Sequence, residues 1–129
     1  MSNWTHVAGI ARINASRCDN AAMDFDRIFG KELNYDDETK IWDEYYRNPE
    51  LFLPAGREGS LHKSVWVNPD ISHLAAYTVS IFGDLRDHDS PSEIVDWFKE
   101  KLENFWVRNA TITVENEWNG TVNWTYERK

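Results

Sequence analysis

The stretch "LHKSVWVNPDISHLAAYTVSIFG", Leu61 to Gly83, decides the fold class, because it holds two strand-like runs around a turn. Asn68-Pro69-Asp70 is the turn signal: proline presets φ, and short polar side chains bond to their own backbone there. The flanking runs, Leu61 to Asn68 and His73 to Gly83, carry β-branched and aromatic residues and predict an antiparallel strand pair. In the second run Ala75, Tyr77, Val79 and Ile81 lie on one face and Leu74, Ala76 and Phe82 on the other. A strand apolar on both faces belongs inside a sheet.

Upstream, Trp4 to Asn14 alternates in the same way, with Val7, Ala11 and Ile13 on one face, Ala8 and Ile10 on the other, and Gly9 permitting close packing. It predicts another central strand. From Asp19 the apolar spacing changes to three and four (Ala22, Phe25, Ile28, Phe29), and Gly30 stands where a C-terminal cap belongs, so a first helix is expected there. A second helix opens in "SPSEIVDWFKEKLENFW", with Ser90 as N-cap, Pro91 at the first helical position and Glu93 completing a capping box. Ile94, Trp97, Phe98, Leu102 and Phe105 form its apolar stripe, while Lys99, Glu100, Lys101 and Glu103 face water.

The closing segment, "VRNATITVENEWNGTVNWTYERK", reads as a hairpin about Asn119-Gly120. A three-residue loop of Trp118, Asn119 and left-handed Gly120 pairs Val114 with Trp124 and Ile112 with Tyr126, which keeps like residues on one face. It leaves Trp118 exposed at the tip. The resulting order is that of one α+β domain over residues 1–129: a ferredoxin-like split β-α-β sandwich, its antiparallel sheet carrying two main helices on one face and an extra C-terminal hairpin strand. Its other sheet face is left without a helix.

Between the first helix and the first of the paired runs lies an acidic, aromatic insertion at about residues 31–54. There Asp36, Asp37, Glu38 and Glu44 interleave with Trp42, Tyr45 and Tyr46, the composition of a contact surface, since aromatic anchors dominate binding hot spots and acid steers basic partners. Together with Trp118 these are the candidate partner-binding residues. A formal net charge of −8 over 129 residues argues against direct nucleic-acid binding and against anionic membrane surfaces. A single cysteine, Cys18, excludes an internal disulfide and fits a reducing, cytoplasmic setting; no run is long and apolar enough for a spanning helix.

"GREGS", Gly56 to Ser60, lacks the Gly-Lys-Ser/Thr ending of a phosphate loop and precedes a strand instead of a helix. A softer ligand role, with Arg57, Gly59, Ser60 and His62 around a small anion or nucleotide, is the alternative to protein contact. Asp84, Asp87 and Asp89 miss the calcium-loop spacing, and the scattered histidines miss zinc spacing, so no metal, cofactor or catalytic residue is assigned.

The stretches "WTHVAGIARI", "GREGSL" and "AAYTVSIFGDLRD" resemble those of small uncharacterised proteins encoded by bacteriophage genomes. The resemblance implies a phage accessory protein in the host cytoplasm, a group that includes acidic inhibitors of host defence, and it carries over no functional residue. The function expected is a non-enzymatic protein-binding module, with homodimer formation favoured by its exposed aromatics.

Overall fold

The computed structural model describes residues 2–15, 25, 27–32, 45, 47–67, 75–88 and 90–128. Five strands form one antiparallel sheet: β1 (Trp4–Ala15), β2 (His62–Val67), β3 (Ala75–Arg86), β4 (Trp106–Asn116) and β5 (Gly120–Glu127), in the spatial order β2-β3-β1-β4-β5. One helix, α1 (Pro91–Leu102), connects β3 to β4. The alternation expected of Trp4 to Asn14 is realised: Thr5, Val7, Gly9, Ala11 and Ile13 are buried, whereas His6, Ala8, Ile10 and Arg12 are exposed. At Gly9 an added Cβ would stand 3.1 Å from Ile112 Cγ1, so the missing side chain lets β1 and β4 pack closely.

Among the described residues, the main core lies on one side of the sheet. Tyr77, Val79, Ile81 and Leu85 from β3, Val7, Ala11 and Ile13 from β1, and Ala110, Ile112 and Val114 from β4 meet Ile94, Val95, Phe98 and Leu102 of α1. Phe25 and Phe29, both helical and buried, join this layer through rings: Phe29 stacks on Phe105 at 5.6 Å, and Phe25 meets Tyr77 edge-on at 5.4 Å. Burying rings of this size is worth about 1.5–3 kcal/mol each.

The ferredoxin-like α+β sandwich with two main helices is corrected by this arrangement, which is mostly antiparallel sheet with α1 as the one helix longer than a turn among the described residues. Strand alternation runs further than the local breakers suggest. β3 continues past Gly83 to Arg86: Gly83 takes φ +154°, a backbone conformation that glycine tolerates and other residues rarely adopt, and still pairs with Val7 of β1. Of the segment expected as a first helix, only Phe25 and Arg27–Phe29 fall within the described residues, and their contribution is the ring cluster. The capping box is corrected in one respect: Ser90 is the N-cap and Pro91 opens the helix as expected, with Glu93 in the first turn, but the Ser90 hydroxyl makes no capping bond to the helix amides and its Oγ lies 3.3 Å from Ser92 Oγ instead.

The hairpin keeps the expected faces but slips by two residues, pairing Ile112 with Trp124 and Val114 with Val122. Its three loop residues are Glu117, Trp118 and Asn119, with Gly120 at φ +88° opening β5. The cause is Asn116. Its buried Oδ1 accepts bonds from the Trp118 and Asn119 amides at 3.0 and 2.8 Å, and so closes the turn one residue earlier on each side.

Candidate binding surface

Because the helix covers one face, the cross-strand register arranges the other into rows. Trp66, Thr78, Arg12, Asn109 and Glu127 form one row; Ser64, Ser80, Ile10, Thr111 and Thr125 the next; His62, Phe82, Ala8, Thr113 and Asn123 a third. In these three rows the large exposed apolar side chains among the described residues are Trp66, Phe82 and Ile10, at 56%, 45% and 43% exposure. Between them are hydroxyls and amides, one pair of which is closed by Thr113 Oγ1 donating to Asn123 Oδ1 at 2.7 Å. Polar ladders of this sort keep an open sheet wettable while leaving a few rings available to a partner.

The two ends of the face carry opposite charge. At one end His6 Nδ1 lies 2.6 Å from Asp84 Oδ1, with Glu115 paired across from His6 and Glu117 close by in the hairpin loop. The hydrogen bond to Asp84 is the largest cause raising the His6 pKa above its ordinary value; partial desolvation opposes it, and the charges of Asp84, Glu117 and Glu115 add to it. At the opposite end, Arg12, Asn14, Arg108, Asn109, Glu127 and Arg128 line a hollow of about 460 Å³. Arg108 reaches it through a β-bulge: Arg12 pairs with Asn109 while Ile13 pairs with Val107, so Arg108 is the extra residue and turns away from the buried series. The Arg128 guanidinium stacks on the Trp106 ring at 4.3 Å.

On the helix side, β5 overhangs α1 and leaves a second hollow of about 300 Å³. Phe105, Trp106, Trp124 and Tyr126 supply its rings, and Lys99 lies 5.8 Å over Trp124. The stacked Trp106–Arg128 pair therefore borders both hollows, Trp106 lining the apolar one and Arg128 the arginine-rich one.

Of the residues singled out in sequence, Trp118 stands at the hairpin tip with 62% exposure. Tyr45 is half-buried, edge-on to Phe52 at 5.9 Å. Asp36, Asp37, Glu38, Trp42, Glu44 and Tyr46 lie outside the described residues. The "GREGS" loop is strapped to the end of β3: the Arg57 amide donates to the Arg86 carbonyl at 2.7 Å, and the Arg86 amide to the Glu58 carbonyl at 2.8 Å. At Gly59, φ +81° and the Asp84 carbonyl oxygen leave no room for a side chain, and Ser60 is buried with its hydroxyl donating to the Leu61 carbonyl. Arg57 is exposed; His62 stands on the open face 5.7 Å from the Phe82 ring. The glycines thus serve a close backbone approach, which answers why the loop is glycine-rich.

His6 and His62 are kept apart, since β3 lies between β1 and β2. Among the described residues no group of three His, Cys, Asp or Glu is placed to hold a metal, and no helix is long and apolar enough to cross a membrane. The arginine hollow was missed because its members are far apart in the chain; the signal available was Arg12 on the exposed alternation of β1 and the basic Arg128 at the end of a hairpin that begins near Arg108. No protein-family model matches the chain, and neither a curated protein nor a solved structure does.

Proposed function

We propose that this protein is a non-enzymatic binding module whose contact surface is the open face of the sheet. The observation that carries the reading is the grouping of exposed Trp66, Phe82 and Ile10 on one face, in adjoining rows, with an acidic end and an arginine end on either side. Buried rings at the centre of such a surface supply affinity, and the flanking charges fix orientation and speed encounter. The partner class this suits is a protein with an apolar patch bordered by basic residues, which would meet Asp84, Glu115 and Glu117. Binding is favoured over catalysis because the close His6–Asp84 pair has no hydroxyl or thiol bonded to it among the described residues. In keeping with the resemblance to phage accessory proteins, the partner we have in view is a host protein whose working site would be covered.

A photo-reactive phenylalanine analogue placed at Trp66 tests this in cells where the protein acts. The expected result is one discrete protein adduct that disappears on Phe82→Ala and is absent when the analogue replaces Glu103 on the helix side. Equal adducts from both positions, or none from Trp66, would remove the open face from the proposal; an adduct of twice the chain mass would replace the foreign partner by a second copy.

A further inference from the structure

We infer that the hollow formed by Arg12, Arg108 and Arg128 is a binding site for a phosphate-bearing small molecule of nucleotide size. Three guanidiniums line one hollow in a chain with net charge −8 and 22 acidic residues, yet among the described residues Glu127 is the one carboxylate that lines it with them. Arg86 shows what this chain does with an arginine it uses structurally: it pairs with Glu58 at 2.5 Å and lies 3.8 Å from Asp87. Arg12, Arg108 and Arg128 have no such carboxylate partner among the described residues. Three like charges that share one hollow with a single carboxylate, Glu127, leave a net positive site that favours an anion, and the planar guanidinium fork matches phosphate oxygens two at a time.

The surrounding chemistry narrows the ligand further. Asn14 and Asn109 add neutral donors and acceptors, and the Glu127 carboxylate accepts from hydroxyls, which suits a sugar. The stacked Trp106 holds Arg128 over its ring and removes part of that side chain's freedom before binding. Beyond Trp106 begins the apolar hollow with Trp124 and Tyr126, whose rings stack at 6.3 Å, the kind of surface a planar base lies against. The volume of about 460 Å³ falls within the range of small-molecule sites. The β-bulge at Arg108 is the device that makes the site: with regular pairing, the alternation would send that side chain to the helix side of the sheet.

The test is titration of the full chain with ATP and, separately, with inorganic pyrophosphate, followed by amide NMR shifts and calorimetry at low and at physiological salt. Binding of both probes is expected, with shifts at residues 12, 14, 108, 109, 127 and 128, competition between the two, and weakening as salt rises. Arg12→Gln and Arg108→Gln should each weaken ATP at least tenfold; both lie on the solvent side of the sheet, and an unchanged thermal midpoint verifies that they fold. Asn109→Asp, which places a carboxylate in the hollow, should do the same. The inference is overturned if neither probe binds at millimolar concentration, if shifts centre on Arg57 and Gly59, or if the substitutions leave affinity unchanged.

Discussion

Replacing Asn116 by alanine tests how the end of the sheet is held. Its side chain is buried at 1% exposure and makes four bonds: Nδ2 donates to Thr5 Oγ1 at 2.8 Å and to the His88 carbonyl at 3.3 Å, while Oδ1 accepts from the Trp118 and Asn119 amides. Thr5 Oγ1 in turn donates to the same His88 carbonyl at 2.6 Å. One amide thus ties β1, β4, the loop before α1 and the hairpin turn together. A buried hydrogen bond contributes about 1 kcal/mol net, and the two turn amides, which water can reach, contribute about half of that each. The 3.3 Å bond is long and adds little. Asn116→Ala should therefore cost about 2–3 kcal/mol, which for this chain length lowers the melting temperature by roughly 8–12 °C.

The assay is urea unfolding followed by tryptophan fluorescence, with Asn123→Ala as the exposed control at under about 0.5 kcal/mol. Asn116→Asp keeps the acceptors for the turn amides but loses both donations, so it separates the two halves of the network. Combined with Thr5→Val, the cycle should show coupling of about 1 kcal/mol. If Asn116→Ala costs no more than Asn123→Ala, the argument that this side chain sets the hairpin register is refuted.

Two further outcomes follow from local geometry. Gly59 and Gly120 have similar positive φ, +81° and +88°, but only Gly59 has backbone where a Cβ would go; Gly59→Ala should cost about 3 kcal/mol or more, and Gly120→Ala about 1 kcal/mol, in the same urea assay. His6 should titrate above 6.5 by NMR and return toward that value in Asp84→Asn. Since its folded pKa is raised, the pair's stabilisation is complete below pH 6.5 and fades as pH rises through the folded value; with both groups well exposed it amounts to a few tenths of a kcal/mol, and a larger pH effect traced to His6 would contradict the pairing.

What the chain makes legible is alternation. β1 and the pair β2 and β3 were readable because buried and exposed residues change places every second position, a pattern local enough to see without partners. Leu61 shows the boundary effect: it was read as the start of a strand, yet it precedes β2 and donates its amide to the Pro54 carbonyl. The two-helix expectation rests partly on the spacing of Ala22, Phe25, Ile28 and Phe29, of which Ala22 lies outside the described residues, and the expected strand end at Gly83 is overrun because β3 continues to Arg86 through a residue type that often breaks strands. The hairpin register was set by Asn116, whose partners Thr5 and His88 are remote in sequence. The arginine hollow was illegible for the same reason, since a bulge and three strands are needed to bring Arg12, Arg108 and Arg128 to one place.

The central position of β1 has a consequence for synthesis. Ala8 pairs with Phe82 on one side and with Thr113 on the other, so β1 is synthesised before either neighbour and is not paired on both sides until β4 has been made. Until β4 has been made, Val7, Ala11 and Ile13 have only part of their final cover, and one long edge of β1 offers unpaired amides and carbonyls to any passing chain. Folding then depends on contacts that are distant in sequence, which slows it. For a nascent chain of this topology, a pause or truncation before residue 106 leaves an adhesive fragment, and the hairpin of β4 and β5 acts as the clasp that covers the open edge of β1.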